Sequence, residues 1–314
     1  MKLKLSCASL TLIAVLILAA SHLWAQFALR PAQASENVIL RMSSPYPPGH
    51  PSTQAAEYFA GLVEQKTNAR IRVQVFPNAE LGSCESSLEQ LQFGGIAFSV
   101  TPCLALPDGT CRADLPAGQP MQADSAALER LQMAVLAHLT PDYRCIANNS
   151  HPLYSGSDGA GLTLHSYDDS RMLEQLCGLG FSAVTLSSAS LELSISHGYV
   201  DGAELAFMEY VSCEYYRILP YVSLFDGPRS PDLIVASRVT LGGLSVELQN
   251  IIADCAAAAE EYHMALLPQS QAEAAALLAQ QKVALLPQAA QTAPPEEWER
   301  LRSGFVGAVQ EAAP

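Results

Sequence analysis

Residues 37–77 read NVILRMSSPYPPGHPSTQAAEYFAGLVEQKTNARIRVQVFP, and the change of period inside this stretch decides the fold class. Val38 to Met42 reads as a strand, broken by a loop with prolines at 45, 47 and 48 before His50. Pro51 suits a first helical turn, where its missing N–H has no partner to lose. Ala55, Tyr58, Phe59, Leu62 and Val63 then recur at helical spacing. Ile71, Val73 and Val75 alternate with polar residues and share one face of a second strand. Next, NAELGSCESSLEQLQFGG is a loop and helix, and IAFSV a third strand. Strand, helix, strand, helix, strand is the order of a parallel sheet with helical crossovers, an α/β fold.

Further along, the signal weakens between Thr101 and Gly159, where SAALERLQMAVLAHL predicts a helix. GLTLHSY predicts a strand with Leu162 and Leu164 on one face and Thr163, His165 and Tyr167 on the other. DDSRMLEQLCGLG is a helix, FSAVTL a strand, and SSASLELSISHG a short helix closed by Gly198. SVELQNIIADCAAAAEEYHMALL is a long helix with Ser245 as its N-cap, followed by a KVALLP strand and a helix around Trp298.

A chain of 314 residues suggests about two domains. Lys2 and Lys4 precede an apolar run from Leu10 to Ala20, and Ala32-Gln33-Ala34 offers a small-x-small cleavage site. Residues 1–34 therefore read as a signal peptide or, since Leu5 to Ala25 is long enough, as an N-terminal membrane anchor. Without Lys2, Lys4 and Arg30 the formal net charge moves from −14 to −17, a poor surface for nucleic acid. Of eight cysteines, Cys7 lies in the leader, and the other seven form no CxxC or Cys/His cluster, so no metal is expected. Cys103 and Cys111 flank a Pro-Asp-Gly turn, and a disulfide or two separate buried thiols are both open there.

Three segments, in order, resemble the substrate-binding proteins of TRAP transporters, the dicarboxylate-binding type. They are PGHPSTQAAEYFAGLVEQKTNARIRVQVFPNAELGSCESSLEQLQFGGIAF, SISHGYVDGAEL, and GLSVELQNIIADCAAAAEEYH followed by ALLAQQKVALLP. The resemblance runs from Val38 to Arg302. It implies a two-lobed periplasmic-binding-protein-like fold, with a long helix spanning both lobes and one ligand site in the cleft. The implied division is 36–143 and 203–243 for lobe I, and 144–202 and 244–314 for lobe II. It further implies an exported protein, periplasmic or on the outer face of the cytoplasmic membrane. Its partners would be a small organic solute and TRAP-type membrane permease subunits, and no cofactor is implied.

The likeness departs from the family at the ligand. The family's GlKiR strand carries an arginine that grips a carboxylate, and here GLTLH puts His165 in its place. A guanidinium is always charged and two-pronged, whereas histidine carries a full charge only below about pH 6.5. Leu205 stands where DGqEN has asparagine, and the arginine of a GxR finds only Asn148, Asn149 and His151 in NNSHPLYSG. These changes point away from a simple dicarboxylate toward a neutral, zwitterionic or weakly acidic solute. The candidate ligand residues are Ser44 and Tyr46 after the first strand, Ser99 after the third, Asn149, His165 and Glu204. Turn chemistry explains Tyr46 and the serines equally well, and Glu204 reads first as a hinge carboxylate bonded to backbone amides.

No nucleophile elbow or dinucleotide fingerprint occurs, so no enzyme is expected. The rival reading is a membrane-anchored sensor or a degenerate binding fold with a collapsed cleft.

Overall fold

The computed structural model describes residues 38–107, 110–112, 122–153, 156–166, 170–186, 190–225 and 230–287. The leader at 1–34 and the Trp298 helix lie outside them, as does the side chain of Cys111, so the Cys103–Cys111 pairing lies outside the described residues. Among the described residues no helix is long and apolar enough to cross a membrane.

The opening segment folds as its periods require: β1 (Val38–Ser43), α1 (Pro51–Lys66), β2 (Ile71–Phe76), α2 (Cys84–Gln92) and β3 (Phe98–Pro102). Then come the short β4 (Cys111–Arg112) and β5 (Gln122–Ala123), α3 (Ser125–Arg130) and β6 (Met133–His138). The helix expected over 125–139 thus stops at Arg130. Gln132 takes φ +57°, which breaks the helix, and β6 pairs antiparallel with a strand a hundred residues away. Long-range pairing overrides local helix propensity there.

The chain continues through β7 (Arg144–Asn148), β8 (Thr163–Ser166), α4 (Ser170–Gly178), β9 (Ser182–Thr185) and α5 (Leu191–Ser196). It ends with β10 (Gly202–Ala206), α6 (Phe207–Ser212), β11 (Tyr221–Phe225), β12 (Asp232–Ser237), α7 (Arg238–Gly242), α8 (Val246–Gln280) and β13 (Ala284–Pro287). One sheet has the order β2-β1-β3-β12-β6 and the other β13-β11-β7-β10-β8-β9, with β4 and β5 forming a separate pair.

The lobe division implied by resemblance is corrected at one point. β10 pairs along its length with β7, and β11 also pairs with β7, so residues 203–225 stay in the second sheet. The chain crosses back to the first sheet after β11. Gly202 shows how close the pairing is: a Cβ there would sit 2.0 Å from the Ala147 carbonyl oxygen. That approach admits only glycine.

Ser245 caps α8, its Oγ accepting from Leu248 N–H at 3.4 Å. The helix then runs 35 residues, through Pro268, past the segment ending at Leu267 that the sequence predicts. A mid-helix proline costs about 3 kcal/mol. The orphaned carbonyl belongs to Met264, an exposed residue that water reaches, while Leu267, Ala274 and Leu278 beyond it are buried in the second sheet's core. The first half of α8 packs Ile252 and Ala256 on the first sheet and α1. The helix thus spans both halves.

A third apolar cluster joins the halves directly. Leu88, Leu104, Leu128 and Leu233 from the first half meet Ile146, Leu164, Met172 and Phe181 from the second.

Candidate functional site

The N-terminus of α1 builds the first wall of a cavity. His50 caps that helix, its Nδ1 accepting the Ser52 N–H at 3.1 Å, and its ring stacks on Tyr46 with centroids 3.8 Å apart. Ser52 Oγ donates to Asp232 Oδ2 at 2.5 Å, and Tyr46 Oη donates to Asp232 Oδ1 at 3.0 Å. Asp232 opens β12, so a residue 186 positions from Tyr46 closes the same corner.

The long helix supplies His263. Its Nδ1 accepts from Thr140 N–H at 3.2 Å and its Nε2 lies 3.4 Å from Ser52 Oγ. Since Ser52 donates to Asp232, the proton of His263 sits on Nε2. Burial lowers its pKa to about 4. His50 is also held well below the usual imidazole range, by burial first and by His263 second. Both rings are neutral.

The second wall comes from the crossing before β7 and from the end of β10. Asp142 accepts from Met208 N–H at 2.6 Å, from Tyr143 N–H at 2.8 Å and from Gln271 Nε2 at 2.7 Å. It ties the crossing to α6 and α8 at once. Burial still raises its carboxyl to about 6, against those hydrogen bonds. Glu209 on α6 is raised to about 7, by burial, with the charges of Asp232 and Glu204 adding and Arg144 opposing. Asp232 is raised too, by burial.

Arg144 is the first residue of β7. Its Nε and Nη2 both reach the Glu204 carboxylate, Nη2 to Oε2 at 2.7 Å, with Ser166 Oγ at 3.5 Å from Oε2. Arg144 is 3% and Glu204 0% exposed, so the pair is bidentate and dry. The cavity enclosed by these groups has a volume of about 10 Å³, room for about one water.

Of the six sequence candidates, Tyr46 lies in this wall. Glu204 stands behind it, holding Arg144 and not backbone amides. Ser44 bonds Thr53 Oγ1 at 2.7 Å, and Ser99 is shared by Ser43 and Thr101 at 2.9 and 3.0 Å; both serve hydroxyl networks at the first sheet. Asn149 is exposed and accepts from Ser150 Oγ at 3.2 Å. His165 is buried, and its Nδ1 accepts the Leu186 N–H at 3.2 Å. Burial lowers its pKa to about 4, against Glu85, so it carries no charge near neutrality.

Two inferences from missing residues are corrected. An arginine does enter the site, Arg144 at the start of β7, and not one from the segment around Asn149. Leu205 pairs with Cys145 in the ladder and is buried with Ala203, Phe207 and Leu267 in the second sheet's core, on the face away from Glu204. The sequence reading also missed His50, Asp142, Glu209, Asp232 and His263. The SPD of residues 230–232 and the lone histidine inside a long helix were the available signals.

The family described as bacterial extracellular solute-binding protein, family 7, matches residues 42–110 and 108–301. A solute-binding protein of Chromohalobacter salexigens is 25% identical over 239 residues, 70% of each chain. The 2,3-diketo-L-gulonate-binding periplasmic protein YiaO of Escherichia coli is 22% identical over 233 residues, 69% of this chain and 71% of that one. Among solved structures, a TRAP periplasmic solute-binding protein of Chromohalobacter salexigens with bound D-glucuronate superposes with a TM-score of 0.71 at 22% identity, covering 87% of this chain and 96% of that one. One from a Sulfitobacter species with bound β-D-galacturonate gives 0.70 at 20%, covering 87% and 94%. With its two sheets bridged by one long helix and a family match over most of its length, this chain belongs to the bacterial extracellular solute-binding proteins of family 7, the TRAP type that its three segments resemble.

Proposed function

We propose that this chain captures a small organic solute between its two sheets and delivers it to TRAP-type permease subunits, performing no chemistry on it. The observation that carries this reading is the polar cavity walled by α1, β7, α6, β12 and α8, elements of both halves. The two halves act as lobes, hinged where the chain crosses between the sheets and along α8. A solute the size of the neighbours' hexuronates does not fit about 10 Å³, so entry requires the lobes to part. Closure around the solute then presents the joint surface that a permease reads. Tyr46, His50 and Asp232 meet the solute from one lobe, with Arg144 and Glu209 from the other. Ser44, Ser99 and His165 support the elements behind the walls, and Asn149, exposed past the far end of β7, takes no part.

One observation favours the rival reading, a sensor or relic with a closed cleft: the Leu233–Ile146 cluster glues the halves with apolar contacts. Thermal melts of the purified protein against carboxylates, amino compounds and polyols separate the two. A ligand that binds the folded state alone raises Tm by mass action, and a shift of several degrees with any class supports capture. No shift with any class refutes it.

A further inference from the structure

We propose that the cavity takes a small solute bearing a protonated amino group beside an oxygen acceptor, such as an amino alcohol or amino acid, and excludes simple organic anions; this rests on the solute-capture reading. Two independent features of the wall lead there.

The first is the balance of charge. Asp142, Glu209 and Asp232 all line a space of about 10 Å³, and the guanidinium in that wall, Arg144, directs Nε and Nη2 at Glu204. His50 and His263 stand in the same wall as neutral rings. Among these groups carboxylates outnumber cations even before Glu204 is counted. A carboxylate brought in from water gives up its hydration and meets like charge in a low-dielectric space. An ammonium meets acceptors of opposite sign.

The second is an orphaned donor. Because His50 Nδ1 accepts the Ser52 N–H, the neutral ring carries its proton on Nε2. The residue is 4% exposed, its plane is fixed by the stack on Tyr46, and Nε2 is buried with no hydrogen-bond partner. Such a donor calls for an acceptor, which an ammonium does not provide. The solute therefore carries an oxygen as well as the amine. The carboxylates take one end and His50 the other.

The pH dependence of binding has opposite signs for the two classes of solute. Facing Glu209 are Arg144 from β7, Glu204 from β10 and Asp232 from β12. Cys84 on α2, and Cys213 and Tyr215 beyond the end of α6, lie within its field. Ionised Glu209 attracts an amine and protonated Glu209 does not, so amine affinity falls as pH drops through about 7. An organic anion gains affinity over the same interval.

Protein purified from the exported fraction is melted against three panels: ethanolamine and serine; glucuronate and succinate; glycerol and inositol. The expected result is a Tm shift with ethanolamine or serine alone, and calorimetric affinity roughly tenfold weaker at pH 6 than at pH 8, as one controlling carboxyl requires. Glu209→Gln should flatten that dependence. His50→Asp, which keeps a cap acceptor and carries no donor when ionised, should lose the contact made by Nε2, while His50→Asn, whose shorter amide does not extend to the Nε2 position, should weaken binding at every pH. Tight glucuronate or succinate binding that strengthens as pH falls, or a response to polyols alone, overturns the amino-solute assignment and leaves solute capture standing. Silence from all three panels overturns solute capture itself.

Discussion

Removing one partner of the Arg144–Glu204 pair is the sharpest test of how the site is held. Glu204→Gln keeps the shape of the side chain and cancels its charge, leaving a guanidinium that is 3% exposed without its counter-ion. Stranding one ion of a buried pair costs about 3–5 kcal/mol. At ~2–4 °C per kcal/mol for a domain of this size, the melting midpoint should fall by roughly 6–20 °C. The exposed pair Arg238–Glu129, at 45% and 58% exposure, is the internal control. Glu129→Gln should cost at most about 1 kcal/mol, since solvent already screens that pair. Replacing both buried ions, Arg144→Met with Glu204→Leu, should recover most of the loss, because two apolar side chains pack without a desolvation cost. Urea titration of the wild type, Arg144→Met, Glu204→Leu and the double variant yields the coupling energy. A Glu204→Gln cost below about 1 kcal/mol, or a double variant as unstable as the two single losses added, would show that the pair is not the buried, mutually dependent unit described.

Other expectations are narrower. Gly202→Ala forces a Cβ to within 2.0 Å of the Ala147 carbonyl, so β7 and β10 must separate; soluble yield and Tm should both drop, and an unchanged melt would contradict the close pairing. Stability should fall as pH drops from about 7 to 6, because His50, His165 and His263, all lowered, stay neutral while the unfolded chain's histidines take up protons. Glu209 at about 7 and Asp142 at about 6 hold protons that the unfolded chain releases, and Asp232 is raised in the same sense, so they offset part of that fall. Melts across pH 5–8 read the slope, and Glu209→Gln, which removes one offset, should steepen it. Ile146→Ala opens the apolar junction between the sheets and should cost about 2–5 kcal/mol in a denaturant titration. Exposed Cys177 should react quickly with a thiol reagent while buried Cys84, Cys145 and Cys255 wait for unfolding, a difference that peptide mapping reads directly.

What the sequence determined by itself is local. The period of 37–77 placed β1, α1 and β2, Pro51 marked the first turn of α1, and Ser245 marked the start of α8, because caps and periods act over a few residues and need no partner elsewhere. The segments that carried the resemblance were enough for the family and the two-sheet architecture. Tertiary structure decided the rest. Met133–His138 became a strand when β12 offered it a ladder, residues 203–225 joined the second sheet through β7, and α8 ran past Pro268 because burying Leu267, Ala274 and Leu278 outweighs one lost hydrogen bond. The site itself was the least legible part. Tyr46 and Asp232, Ser52 and His263, Asp142 and Gln271 are each more than a hundred residues apart, and each looks ordinary in its own segment. Their shared burial is what makes them a site, since it neutralises the histidines, raises the carboxyls and leaves the proton on His50 Nε2 without an acceptor.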